Sequence, residues 1–184
     1  MTRLFGRFLA AAFVVLAFAL PAAAQTKQEA ENMLYLDTAY GRVVIKLRPD
    51  LAPKHVARIK ELTRTGFYNG VPFHRVIAGF MAQTGDPTGT GTGGSGQKLA
   101  AEFSSTPFTR GVVGMARASS PDSADSQFFI MFDSTPSLNG QYTVVGQVVS
   151  GMEFVDKIKK GSGAGGTVSN PDKIVKMQVA ADAK

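Results

Sequence analysis

Arg75, Phe80, Met81 and Gln83 bring a permanent cation, two bulky apolar side chains and a neutral amide into a window of nine residues, with Gly79 as a turn between two short β-runs. Side chains alternate along a strand, so strands at Phe73–Ile77 and Phe80–Thr84 would place Arg75 with Phe73 and Ile77 on one face, and Met81 with Gln83. Such a pair of strands lines a groove with a charge, an amide and apolar surface. That is unusual chemistry for a buried wall. It holds no activated nucleophile.

The rest of the chain narrows the chemistry further. With two His, no Cys and no H-E-x-x-H, neither a catalytic triad nor a zinc site has a pattern to build on. Gly89, Gly91 and Gly94 satisfy G-x-G-x-x-G, and Gly161, Gly163 and Gly166 repeat it, but a dinucleotide site needs a strand before the glycines and a full helix after them. Only Gln97 to Phe103 follows the first set before Pro107, and the second comes after a helix. No G-K-[ST] offers a P-loop, and no basic run interleaved with aromatics marks a nucleic-acid surface.

Arg3 and Arg7 precede an apolar run from Phe8 to Leu20, then Pro21 and three alanines before Gln25. A basic head, a short apolar stretch and small residues at its end read as a secretory signal over 1–24, cleaved after Ala24, and not as a stable membrane anchor. Its removal lowers the formal charge from +6 to +4, so part of the basicity belongs to the leader. Export leads to an oxidising compartment, yet no disulfide can form, so stability must come from one packed core. Residues 25–32 read as a flexible lead-in and 33–184 as one domain.

Met33–Thr38 and Gly41–Leu47 alternate around Ala39-Tyr40-Gly41 as a hairpin. Asp50 to Pro53 starts a helix on which Val56, Ile59 and Leu62 recur, ended by Gly66, with His55 read as a solvated surface residue. Further β-runs fall at Gly111–Met115, Ser126–Ile130, Thr143–Val149 and Ile174–Ala180, with a second short helix at Met152–Lys159. About eight short strands, two helices and many Gly turns predict a mainly β fold, a closed eight-stranded antiparallel barrel.

The stretch Phe73 to Asp86 fits F-H-R-x-x-x-x-F-M-x-Q-x-G-D, and Ser126-Gln127-Phe128-Phe129-Ile130 is a second matching segment. Both resemble the cyclophilin family of peptidyl-prolyl cis-trans isomerases, over Tyr35 to about Val179. The resemblance implies a barrel with a helix covering each open end, no cofactor, no metal, and acceleration of rotation about X-Pro bonds. Residue by residue, it makes Arg75 the catalytic arginine and Phe80, Met81, Phe129 and Leu138 the proline-pocket wall. Gln83 orients substrate backbone, Ala116 and Arg117 form a groove segment, and Gln127 lies beside it. His74 becomes a rim or structural residue.

Three departures stand out. Arg117 replaces the family's Asn, Ser137 occupies the position of a tryptophan associated with cyclosporin binding, and Tyr142 that of a pocket histidine. Tyr142 still offers an aromatic face and a hydroxyl, so turnover is expected to be kept and cyclosporin binding to be weak. The expected partners are proline-containing peptides and unfolded or partly folded exported proteins met by a periplasmic monomer; a eukaryotic source would make it secretory. A binding module of the same fold, holding Pro-containing segments without turnover, is the competing expectation.

Overall fold

Alternation of buried and half-buried residues along Met33–Thr38 and Gly41–Leu47 produces the first hairpin, β1 and β2, paired antiparallel from Met33 opposite Lys46 to Thr38 opposite Gly41. The computed structural model describes residues 22–183, with side chains from residue 26. The leader expected over 1–24 therefore lies almost wholly outside the described residues. Six further strands follow: β3 (Arg75–Ile77), β4 (Met81–Thr84), β5 (Val112–Met115), β6 (Phe128–Met131), β7 (Val144–Ser150) and β8 (Lys176–Val179). All pair antiparallel in one sheet, in the order β3-β4-β6-β5-β7-β2-β1-β8.

The barrel expected to be closed is an open, curled sheet, because its outermost strands β3 and β8 do not pair. Residues 166–175 run through the gap instead. They meet the β3 side through Val76 N–H to Gly166 O (2.8 Å) and Phe73 N–H to Asp172 O (2.8 Å), and the β1 side through Val175 N–H to Asp37 O (2.8 Å). A segment carrying Gly166 and Pro171 cannot supply a continuous ladder, which is why isolated bridges, Pro72 to Lys173 and Arg75 to Thr167, stand in for one.

The helices differ from expectation in number and extent. Besides α2 (Pro53–Arg64) there is α1 (Ala22–Glu31), and the second predicted helix shortens to a single turn, α3 (Met152–Val155). Residues 25–32, read as a flexible lead-in, are thus mostly helical, and Glu31 at the end of α1 pairs with Lys60 (3.1 Å) and Arg64 (2.8 Å) of α2. Helix α2 buries Val56, Ile59 and Leu62 on one face of the sheet, with Pro53 in its first turn, where no N–H is missed.

His55, expected at the surface, is fully buried. It sits four residues before Ile59 and seven before Leu62, on the same stripe. Its Nδ1 lies 2.7 Å from Glu102, whose carboxylate also accepts the N–H groups of Lys54 (3.2 Å) and His55 (3.1 Å). No local side chain caps α2; a glutamate from 47 residues downstream does so. Burial alone would raise the Glu102 carboxyl pKa, but the His55 ring and the two N–H donors outweigh it and hold it below the ordinary range.

The apolar side chains fall into two groups. On the α2 side Leu34, Leu36, Val43, Ile45, Phe128 and Ile130 belong to the main core. On the opposite side Met81, Phe108, Val112, Phe129, Met131 and Val144 form a smaller cluster. Phe73 precedes β3 and packs into the main core, so it does not share the second face with Arg75 as strand alternation from Phe73 had suggested.

Candidate active site

Strand register builds the site. Antiparallel pairing sets Arg75 opposite Gln83 and Ile77 opposite Met81, joined by the turn at Gly79 (φ 71°) with Phe80 N–H on Ile77 O (3.0 Å). Pairing of β4 with β6 then sets Gln83 opposite Phe129, so alternate residues of both strands point to the second face. There they enclose a cavity of about 280 Å³ lined by Arg75, Phe80, Met81, Gln83, Ala116, Arg117, Phe129, Leu138 and Tyr142, with His74, Gly89, Thr90, Gly91 and Thr167 completing it.

Every residue given a site role from the sequence lines this cavity except Gln127, while Ser137, at the tryptophan's position, does not line it. That residue lines an adjoining hollow of about 370 Å³ together with Lys98, Asp125, Ala116 and Arg117. The two are linked by hydrogen bonds. Gln83 Nε2 donates to Gln127 Oε1 (2.9 Å), and Gln127 Nε2 donates to the carbonyls of Gly91 (3.0 Å) and Gly93 (2.8 Å).

Arg75 is held from two sides. Its Nε donates to Gly165 O (3.1 Å) and its Nη1 to Gln83 Oε1 (3.1 Å), while Nη2 has no partner among the described residues. No carboxylate pairs with it there. The guanidinium is therefore fixed in direction, with one amine free and its charge uncompensated. Gly166 (φ 67°) lets the 161–167 loop approach: a Cβ there would stand 2.3 Å from Ile77 Cγ1.

The apolar floor is aromatic. Phe129 stacks on Phe108 (5.8 Å between centroids) and meets the Tyr142 ring edge-on (5.8 Å). Phe108 was not distinguishable in the sequence, since nothing local tells one buried Phe from another. Arg117 covers the far side of Tyr142, its Cζ 4.6 Å from the ring centre.

Two further residues support the walls, Asp86, which the sequence reading left without a role, and His74, which it placed at the rim. Asp86, closing the motif, is fully buried and gathers the following loop: Oδ1 accepts from Thr88 N (2.7 Å) and Thr88 Oγ1 (2.7 Å), Oδ2 from Gly91 N (2.6 Å) and Gly93 N (3.1 Å). Burial pushes its pKa up, but the Thr88 hydroxyl and the backbone donors win and bring it to about 2. The loop whose glycines mimic a dinucleotide motif thus wraps a carboxylate, through Thr88, Gly91 and Gly93, which only Asp86 at its head could have signalled. His74 is nearly buried at the cavity wall, and among the described residues neither ring nitrogen has a hydrogen-bond partner; desolvation lowers its pKa, more than Asp86 restores it.

Residues 33–179 match the family model "Cyclophilin type peptidyl-prolyl cis-trans isomerase/CLD". A probable peptidyl-prolyl cis-trans isomerase of Brucella suis is 60% identical, covering 95% of each chain. Peptidyl-prolyl cis-trans isomerase B of Bacillus subtilis is 44% identical over 65% of this chain and 85% of its own. Among solved structures, a cyclophilin type peptidyl-prolyl cis-trans isomerase of Cryptosporidium parvum, crystallised in the presence of the dipeptide Ala-Pro, superposes with a TM-score of 0.73 at 31% identity, over 80% of this chain and 98% of that one. A cyclophilin from Hirschia baltica gives 0.75 at 26% identity, over 91% and 83%.

Proposed function

The chain belongs to the cyclophilin-type peptidyl-prolyl cis-trans isomerases, and from that premise we propose that Arg75 and the apolar cavity beside it turn X-Pro bonds in exported, incompletely folded proteins. The observation that carries the reading is the guanidinium of Arg75, fixed by Gly165 and Gln83 at the wall of a cavity whose apolar side is made by Phe80, Met81, Phe129 and Leu138.

Rotation about an X-Pro bond breaks amide resonance, with a barrier of about 18–20 kcal/mol. No bond is made or lost and no proton must move. In the twisted state the prolyl nitrogen regains its lone pair and can accept a hydrogen bond, which it cannot do in either planar form. A donor held at that nitrogen therefore stabilises the transition state selectively. Arg75 is the donor in this proposal, through its unpartnered Nη2.

One charge-assisted hydrogen bond contributes about 1.5–3 kcal/mol, whereas a 10⁵-fold acceleration requires about 7. The remainder falls to the cavity. Phe80, Met81, Phe129 and Leu138 grip the pyrrolidine ring while the preceding residue turns, and their low polarity favours the less polar twisted amide and strengthens the Arg75 bond. Gln83, tethered through Gln127, orients the substrate backbone; Ala116, Arg117 and Tyr142 border the path of the preceding residues. The proposed setting is the periplasm, reached by cleavage after Ala24, with the mature chain a monomer that binds cyclosporin weakly.

Isomerisation of a short X-Pro peptide by the chain and by Arg75→Ala tests the site. A loss of tenfold or more is expected; equal rates would assign a module that holds Pro-containing segments without turning them. Intact mass of the exported protein tests the setting, with Gln25 expected as its first residue.

A further inference from the structure

Arg117 is built into the site with unusual firmness for a half-exposed cation. Its Nε donates to Gln141 O (3.2 Å) and its Nη1 to Ala118 O (3.0 Å) and Ser119 O (3.2 Å), and its guanidinium lies against Tyr142 (4.6 Å) and Phe103 (5.9 Å). Carbonyl oxygens and ring faces orient a charge without neutralising it. Nη2 has no hydrogen-bond partner and Arg117 no ion pair among the described residues. The side chain lines both the 280 Å³ cavity and the adjoining 370 Å³ hollow, at their common wall.

The charges nearby point the same way. Lys98 lines the second hollow and is exposed, with no ion pair among the described residues; Arg75 lines the first. Two carboxylates border the same region, and both are already engaged by hydrogen bonds; Asp125, half-buried, also lines the second hollow. Asp86 is enclosed by the 88–93 loop. Asp125 accepts Ser95 N (3.0 Å), the Ser95 hydroxyl and Gly96 N (2.9 Å). Lining the two hollows are three cations against one carboxylate, Asp125, whose oxygens are taken up by Ser95 and Gly96.

The prolyl nitrogen is the atom through which the ring joins the preceding residue. With the ring against the apolar wall of the first cavity and that nitrogen at Arg75, a chain before proline running along Gln83 and Gln127 would enter the second hollow, which shares Gln83, Gly91, Ala116 and Arg117 with the first. At about 3.3–3.6 Å per extended residue, one to three residues bring a side chain to that common wall.

We propose that Arg117, assisted by Lys98, is a specificity-determining residue that selects substrates carrying a carboxylate side chain within three residues before the proline. This rests on the isomerase site described above, and it names the class of client sequence that site favours. A half-exposed ion pair contributes modestly and is screened by salt, so the preference is about 2- to 5-fold in kcat/KM and shrinks between low and high ionic strength.

The test uses otherwise identical X-Pro peptides with Glu, Gln or Lys two positions before proline, and one with Glu two positions after it. The full mature chain, Arg117→Asn and Lys98→Gln are assayed at low salt and at about 0.5 M. Expected for the unsubstituted chain is the order Glu, Gln, Lys at low salt, compressed at high salt, with no gain from Glu after proline. In Arg117→Asn the Glu-to-Gln ratio falls to about one, whatever the absolute rates; in Lys98→Gln, at an exposed position, it falls partway. Equal rates for Glu and Gln, a ratio insensitive to salt, or a ratio retained in Arg117→Asn would each overturn the proposal. Failure of the parent reading looks different: the Gln peptide itself would then go unturned or be indifferent to Arg75→Ala.

Discussion

Strands β4 and β6 present two faces that are almost equally dry and are used for opposite purposes. Phe128 and Phe129 are neighbours, 1% and 5% exposed, yet Phe128 enters the main core beneath α2 while Phe129 forms the floor of the cavity. Ala82 and Met81 divide in the same way. Toward α2 the packing is filled from every strand, and its product is stability. On the other face fewer side chains meet, and the loops carrying Phe108, Leu138 and Tyr142 cover them without filling the space. Burial alone does not separate a residue that fills the core from one that lines the cavity; which side of the sheet it takes does.

Exchanging one face for the other gives the largest expected effects. Phe128→Ala should cost about 3–5 kcal/mol of stability and leave kcat/KM of the folded fraction within about threefold, since nothing on the cavity side is removed. Phe129→Ala should lower kcat/KM by about 10- to 100-fold, from the lost apolar wall of about 1.5–3 kcal/mol, at a smaller loss of stability. Denaturant melts beside peptide kinetics read both. Equal stability losses with activity untouched in each would dissolve the distinction.

Gly114 on β5 sharpens it from the pocket side. A Cβ there would stand 2.6 Å from Phe108 Cε1 and 2.6 Å from Phe129 Cζ. Gly114→Ala should push the Phe129 ring into the cavity, raising KM severalfold with about 1–3 kcal/mol of overpacking. Val113→Ala, next door but facing α2, should leave KM unchanged. Steady-state kinetics on the pair decides.

The smallest effect is in acid. The pKa of Asp86 is about 2 in the folded chain against about 3.9 unfolded. Its depressed pKa contributes stability present above about 3.9 and lost as pH falls through about 2. Melts from pH 5 to 2.5 should therefore fall more steeply in the natural chain than in Asp86→Asn, which starts lower and has no carboxylate to protonate. Parallel slopes would remove Asp86 from the support of the cavity wall.

Much of the pocket face was legible because a strand's period is two: Met81 with Gln83, and Phe129 one residue out of step with Phe128, follow from alternation and the two motifs. The open seam was not, since it depends on whether β3 meets β8 across a hundred residues, and pairing at that range leaves no local pattern. The capping of α2 by Glu102 is hidden for the same reason. His55 was readable and was misread: its spacing to Ile59 and Leu62 puts it on the buried stripe, and polarity obscured the period. Gly165 escaped because its contribution is a carbonyl, which every residue has.

Comparing peptide binding with turnover in Arg75→Ala tests the central claim most directly, by measuring the Kd of an X-Pro peptide and its cis-trans exchange rate on the protein in the same nuclear magnetic resonance experiment. If the guanidinium acts on the twisted nitrogen, exchange slows by about 10- to 150-fold while Kd stays within about threefold. A Kd weakened as much as the exchange rate would mean that Arg75 merely holds the planar peptide, and would contradict the assignment of catalysis to it.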